Sequence, residues 1–238
     1  MTLSTTLFGS FFASYGLLLI LCAAAGYLLG SINSSIILTR LYKKGDIRDR
    51  GSGNAGMTNV LRSVGKLPAA LTFVGDFLKC VVAILLAHLV MRLLGVESGA
   101  ELEKIAQYSA GVFCVMGHAF PLYYGFRGGK CIVTAAAMIA LTDWRVFLLI
   151  ISTFLILFIW KRIISLASIT CAALYPVYTF CITFFLDFQR GQHSLGYLLF
   201  VTAVALLVGV FVLYRHRSNI GRLLRGEEKP ITIGKKAE

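Results

Sequence analysis

Acidic residues are scarce in this chain of 238 residues: 11 Asp and Glu stand against 23 Lys and Arg, a formal net charge of +12. Proline is scarce too, with four in all, and no Pro- or Ser-rich stretch or low-complexity tract marks a linker. No Lys or Arg precedes Arg40, so the first apolar run lacks the basic leader of a cleaved signal peptide. It is expected to be retained as a span with its N-terminus outside. The six cysteines (Cys22, Cys80, Cys114, Cys131, Cys171 and Cys181) lie in or at the edges of apolar runs and form no CxxC pair. They read as small apolar fillers, not as a disulfide frame or a metal site. No GK[ST] follows a glycine-rich stretch at Walker A spacing, which argues against an ATPase. No Ser-His-Asp or Cys-His arrangement offers a covalent nucleophile.

What is abundant is apolar sequence. The chain is 58% hydrophobic with a mean hydropathy of +0.80, far beyond a soluble domain of this size. The expected fold is an all-α membrane protein of about seven transmembrane helices, forming a single domain over residues 1–238. Candidate spans run over about 15–38, 68–94, 105–125, 131–142, 144–160, 163–186 and 195–214. The fourth and fifth are separated only by Asp143-Trp144-Arg145, so a re-entrant pair competes with two spans there.

With the N-terminus outside, seven spans put most basic residues on the inner face. That face receives Arg40, Lys43, Lys44, Arg48, Arg50, Arg62 and Lys66, then Arg127 and Lys130, then Lys161 and Arg162. It also receives a cytoplasmic tail with Arg215, Arg217, Arg222, Arg225, Lys229, Lys235 and Lys236. The outer face keeps Arg92, Lys104, Arg145 and Arg190 together with Glu97, Glu101, Glu103, Asp143 and Asp187. This asymmetry explains the positive charge better than a nucleic-acid partner does, and no nucleic-acid partner is expected.

Every polar cluster then falls on the cytoplasmic side. Residues 51–62, GSGNAGMTNVLR, present Gly51, Ser52, Gly53, Asn54, Gly56, Asn59 and Arg62. Glycine-rich backbone with short polar side chains and one guanidinium is the chemistry of an anion nest, although a plain connecting turn has the same composition. Residues 117–130, GHAFPLYYGFRGGK, offer Gly128 and Gly129 as backbone donors followed by the cation Lys130. His118, inside the third span, fits both a packed and a functional role. The tail RHRSNIGRLLRGEEKPI holds His216 and Asn219 at i, i+3, on one helical face. Its arginines also suit contact with anionic lipid headgroups. Asp76 and Lys79, again i, i+3, lie deep in the second span and read as a structural ion pair. Ser165 and Ser168 open the sixth span. Alone they mean little, because such serines often bond back to their own helix.

Taken in order, GSIN (30–33), DIRDRGSGNAGMTNVLR (46–62), DFLK (76–79), GHAFPLYYGFRGGK (117–130), SLAS (165–168) and RHRSNIGRLLRGEE (215–228) resemble the PlsY-type family of bacterial integral-membrane glycerol-3-phosphate acyltransferases. The departures are Cys80 and Cys131 in place of glycine, Arg127 for lysine and Asn33 for proline. The resemblance implies acyl transfer from acyl phosphate to the 1-hydroxyl of sn-glycerol 3-phosphate at the cytoplasmic (inner) membrane, without cofactor or metal. It also implies a link to an enzyme that produces acyl phosphate. Residue by residue it points to Ser52, Arg62, Lys130, Ser168, His216 and Asn219. The assignment expected from it puts acyl phosphate on Ser52 and the N–H groups of 53–56, with Ser168. Glycerol 3-phosphate falls to Arg62, Lys130, His216 and Asn219. A transporter for a phosphorylated solute and a lipid-binding scaffold are the competing classes; polar clusters on one face, with no inverted repeat, weigh against the transporter.

Overall fold

A computed structural model describes residues 2–228 and 230, with side chains from Tyr15 onward. Lys229, Lys235 and Lys236, expected in the basic tail, lie outside the described residues. The described chain is helical and contains no strand. Ten α-helices follow in order: α1 (Thr2–Gly30), α2 (Ser34–Lys43), α3 (Met57–Ser63), α4 (Lys66–Leu93), α5 (Glu101–Ala119), α6 (Ile132–Thr142), α7 (Trp144–Lys161), α8 (Ile164–Ile182), α9 (Leu195–Arg215) and α10 (Arg217–Leu224). Although the sequence reads as one domain, its contacts gather into two compact units that divide between Thr142 and Asp143.

Five segments are long and apolar enough to cross a bilayer: Tyr15–Lys43, Lys66–Leu93, Trp144–Lys161, Ile164–Phe188 and Leu195–Arg215. Large apolar side chains such as Leu78, Ile159 and Leu207 are turned outward along them, as lipid-facing helices require. The first expected span is not continuous. It breaks at Ser31–Asn33, where the Asn33 carboxamide caps α2 by accepting from Ile36 N–H at 3.2 Å. The third is shorter than expected, since α5 ends at Ala119 and gives way to a turn over Leu122–Tyr124. The fourth, α6, has 11 residues, which rise about 16 Å, half of a ~30 Å hydrocarbon layer. A separate helix α7 starts at Trp144, capped by the Asp143 carboxylate.

In the first unit α1 and α5 approach backbone to backbone. A Cβ on Gly26 would lie 2.2 Å from the Ala110 carbonyl oxygen, and one on Gly30 would lie 2.2 Å from that of Cys114. Small residues one turn apart let membrane helices touch this closely, which replaces the missing hydrophobic drive in lipid with dispersion contact. Helix α4 packs on α1, α2, α3, α5 and α6. The loops 44–56 and 120–131 meet at one end of this unit, and 94–100 closes the opposite end. In the second unit α8 packs between α7 and α9. Its α8 continues into a π-helical turn, Thr183–Phe188, where Asp187 takes both terminal nitrogens of Arg145 at 2.7 Å. The 162–163 turn and α10 lie at the other end.

Candidate active site

The loop 46–62 is built around one side chain. Asn59 is buried, and its Nδ2 donates to the carbonyls of Ile47, Arg50 and Asn54 at 3.1, 2.9 and 3.1 Å. Its Oδ1 accepts from the Ser52 N–H at 3.0 Å. Gly51 turns at φ +54 directly against that carboxamide, where a Cβ would lie 2.3 Å from Oδ1. Asn59 and Gly51 were expected to bind substrate. The amide of Asn59 is spent inside the loop, so the two residues shape the nest instead. The same holds for two of its backbone donors: Gly53 N–H goes to Arg50 at 2.9 Å and Gly56 N–H to Asn54 at 3.0 Å. Among the described residues those of Asn54 and Ala55 make no backbone–backbone bond. Ser52 and Arg62 are exposed.

Arg48 ties this loop to the next. Its guanidinium makes a bidentate pair with Asp46 at 3.0 and 2.8 Å and donates to the Tyr124 carbonyl at 2.6 Å. The Arg48 hydrogen bond holds the Asp46 carboxyl below its ordinary range. Sequence reading assigned Arg48 only to the inner-face charge; the Asp-x-Arg spacing was the one local sign of its role.

The second loop corrects another expectation. Gly128 and Gly129 were read as donors for an anion, yet their N–H groups bond to the Ala119 and His118 carbonyls at 3.0 and 3.1 Å. They close the C-terminal end of α5, whose last carbonyls have no partner within the helix. Gly129 also sits in a gap with no room for a side chain: a Cβ there would lie 2.2 Å from His118 Nε2 and 2.6 Å from the Ala55 carbonyl oxygen. The two loops therefore touch at Gly129, one residue before the half-buried Lys130. Cys131 follows at φ +67 and is buried, a left-handed conformation that glycine takes without strain.

Beneath them lies a buried charge cluster. Lys79 Nζ is 2.9 Å from Asp76 Oδ1, off the hydrogen-bond axis, and 2.9 Å from His118 Nδ1. It donates to the Ile32 carbonyl at 2.7 Å. An ammonium has only donors, so His118 Nδ1 accepts and the neutral ring carries its proton on Nε2. Three elements thus meet on Lys79: α4 itself, α5 through His118, and the break after α1 through Ile32. His118 is buried against Lys79 here.

In the second unit, His216 forms the junction of α9 and α10 and is buried. Its Nδ1 lies 2.9 Å from the Val212 carbonyl. A carbonyl can only accept, so Nδ1 carries a proton directed at Val212. Ser168 is buried, and its Oγ has no hydrogen-bond partner among the described residues. A buried hydroxyl in that condition is destabilising unless something polar reaches it. One turn earlier Ser165 Oγ donates to Glu228 Oε1 at 2.7 Å. Glu228 also accepts from Asn219 Nδ2 at 2.8 Å and Arg222 Nε at 2.6 Å. Burial opposes its charged form, but the bonds from Arg222, Ser165 and Asn219 outweigh it and keep the carboxyl below its ordinary range. Glu228 escaped the sequence reading, where it was one acid in a basic tail.

Fold and site are those of an integral membrane protein that gathers its polar chemistry at helix ends. Residues 20–226 match the family model for glycerol-3-phosphate acyltransferase, and the chain belongs to that family. It is similar to the glycerol-3-phosphate acyltransferase of Rhodospirillum rubrum, 40% identical over 93% of this chain and 94% of that protein. It is also similar to that of Clostridioides difficile, 36% identical over 92% of this chain and 97% of the relative. Among solved structures it resembles PlsY, an integral membrane glycerol 3-phosphate acyltransferase, in its glycerol 3-phosphate form. That likeness has a TM-score of 0.69 and 32% identity, covering 90% of this chain and 96% of the other. The lysophosphatidic acid form of PlsY gives a TM-score of 0.68.

Proposed function

We propose that the chain transfers an acyl group from acyl phosphate to the 1-hydroxyl of sn-glycerol 3-phosphate at the cytoplasmic face of the bacterial inner membrane. Family membership makes it a glycerol-3-phosphate acyltransferase. The observation that carries the reading is that the family match spans residues 20–226 and so includes Ser52, Arg62, Lys130, Ser168, His216 and Asn219. The likeness to a solved relative in its glycerol 3-phosphate form supports the acceptor. The alternation of basic and acidic loops along the chain supports seven crossings, with the N-terminus outside and α6 as the shortest member.

In this reading Ser52 and the N–H groups of Asn54 and Ala55 hold the phosphate of the donor, and Ser168 Oγ supplies a further hydrogen bond to it. Arg62 and Lys130 hold the phosphate of glycerol 3-phosphate, for which a guanidinium and an ammonium are suited. The substrate hydroxyl oxygen attacks the acyl carbon, the ester C–O bond forms, and the bond from that carbon to the phosphate oxygen breaks. Inorganic phosphate leaves with the electron pair. The hydroxyl proton passes to His216 Nε2 or to a substrate phosphate oxygen, whose second pKa near ~6 suits it. Acyl phosphate is already an activated mixed anhydride, so no acyl-enzyme is needed, and an enzyme making acyl phosphate must supply the donor.

Purified protein given labelled acyl phosphate and glycerol 3-phosphate tests this. Labelled lysophosphatidic acid should form, with intersecting initial-rate lines. Parallel lines, a trapped acyl-protein adduct, or uptake of glycerol 3-phosphate into vesicles without acylation would overturn it.

A further inference from the structure

The first half of loop 120–131 is tied to the elements around it. The Phe120 carbonyl accepts from the Tyr27 hydroxyl at 2.8 Å, and Leu122 N–H donates to Ser31 Oγ at 3.2 Å. Arg48 donates to the carbonyls of Tyr124 and Arg127 at 2.6 and 3.3 Å. The end of the loop rests on His118 instead. Gly129 N–H bonds to the His118 carbonyl at 3.1 Å, and a Cβ on Gly129 would lie 2.2 Å from His118 Nε2. Lys130 is the next residue, so the direction in which its side chain leaves the backbone is set where Gly129 meets that ring.

The ring is oriented in its turn by Lys79. An imidazole fits one site in two flipped orientations, and a partner on one edge selects between them. Lys79 Nζ, 2.9 Å from Nδ1, is that partner. An ammonium can only donate, so Nδ1 is kept as an acceptor and the Nε2 edge, with its proton, is turned toward Gly129. The same ammonium donates to the Ile32 carbonyl at 2.7 Å. Ile32 follows Ser31, which receives Leu122, so Lys79 also steadies the break to which the first half of the loop is tied. Both Lys79 and His118 are buried.

We propose that Lys79 is a positioning residue for Lys130, a role that rests on the acyltransferase reading above. Through His118 it holds the Gly129–Lys130 turn so that the Lys130 ammonium meets the phosphate of glycerol 3-phosphate. Every residue in this chain of contacts belongs to the first unit. Asp76, 2.9 Å from Lys79 Nζ, balances the buried charge.

The double variant D76N/K79M removes the donor to His118 without stranding a charge. Its KM for glycerol 3-phosphate should rise about three- to tenfold, while its KM for acyl phosphate stays within a factor of about two. KM does not depend on how much of the protein is folded, so a loss of stability alone leaves it unmoved. In a K130A background the same two changes should move KM for glycerol 3-phosphate by less than a factor of about two, because the side chain they position is gone. Tyr27→Phe is the structural comparison: it breaks the bond to the Phe120 carbonyl, and should lower Tm with both KM values within a factor of about two. If D76N/K79M does not accumulate, His118→Asn serves. Its side-chain oxygen can stand at the place of Nδ1 and accept from Lys79, but the ring edge beside Gly129 is lost, and KM for glycerol 3-phosphate should rise by a similar factor. An unchanged KM for glycerol 3-phosphate in these variants, or a rise that persists undiminished in the K130A background, overturns the role of Lys79 and leaves the acyltransferase reading in place. An unchanged KM in K130A itself overturns the assignment of Lys130 to the phosphate, and the role of Lys79 with it. A wild-type chain that makes no lysophosphatidic acid from acyl phosphate and glycerol 3-phosphate rejects the underlying reading.

Discussion

Replacing Lys79 by Met and Asp76 by Asn, singly and together, tests whether the buried cluster is one unit. In the native chain Lys79 Nζ has three neighbours, Asp76 Oδ1 at 2.9 Å, His118 Nδ1 at 2.9 Å and the Ile32 carbonyl at 2.7 Å. All three charged or titratable side chains are at most 7% exposed. Lys79→Met strands a buried carboxylate, which costs about 3–5 kcal/mol, and leaves the Ile32 carbonyl without its donor, about 1–3 kcal/mol more. Asp76→Asn strands the ammonium, again about 3–5 kcal/mol, although two neutral acceptors remain to it. The double variant strands no charge and loses only the bonds to Ile32 and His118, about 2–4 kcal/mol in all. The coupling between the two positions is therefore about 3 kcal/mol or more, in the direction that makes the pair milder than the sum. For a chain of this length about 1 kcal/mol moves Tm by ~2–4 °C. In a detergent melt each single variant should fall by about 10 °C or more, and the double by no more than the worse single. A double variant that falls by the sum of the two would show that Asp76 and Lys79 act independently, and the cluster argument would fail.

Lys130→Ala and Arg62→Ala each remove a charged contact worth about 1.5–3 kcal/mol, so KM for glycerol 3-phosphate should rise about ten- to a hundredfold with Tm little changed. Asn59→Ala and Ser52→Ala should separate building from binding. The first should lower Tm and abolish activity, because it removes the amide that holds Ile47, Arg50, Asn54 and Ser52, whereas the second should weaken use of acyl phosphate at unchanged Tm. Gly129→Ala should destabilise by about 1–3 kcal/mol, since its Cβ would meet His118 Nε2 and the Ala55 carbonyl; a melt at wild-type Tm would show that the loops do not touch there. Glu228 has a folded pKa below its ordinary 4.5, so its contribution is fully present above about 4.5 and is lost as pH falls through the lower folded value. The Tm gap between wild type and E228Q should be flat above about pH 5.5 and close below it; a gap that widens in acid would refute the assignment.

Much of the fold and site was legible because membranes impose coarse rules. A stretch long enough to cross must be apolar, and its basic flanks fall on one side. The helices over Lys66–Leu93, Trp144–Lys161 and Leu195–Arg215 lie within two residues of the spans read from hydropathy alone. Asp76 and Lys79 could be paired from i, i+3 spacing, because two charges that deep in lipid have little else to meet. The polar clusters were legible for the same reason, since asparagine, arginine and lysine gathered around glycines are foreign to the apolar interior.

Sequence reading failed wherever a residue's partner is remote along the chain. The break at Ser31–Asn33 sits inside an apolar run, and its role emerges only when Lys79, 47 residues on, reaches the Ile32 carbonyl. Gly128 and Gly129 have the composition of an anion nest, yet α5 ends where their N–H groups are needed to close it. Asn59 looks like a ligand and is the knot of its loop. Arg48 and Glu228 look like ordinary surface charge, but one joins two loops across 76 residues and the other joins α8 to the tail across 63. Local chemistry determined that this chain is a helical membrane protein with phosphate-sized polar clusters. Only the tertiary structure decided which polar atoms are consumed by the scaffold and which are left to act, because a hydrogen-bonding atom already satisfied by a distant neighbour cannot also bind a substrate.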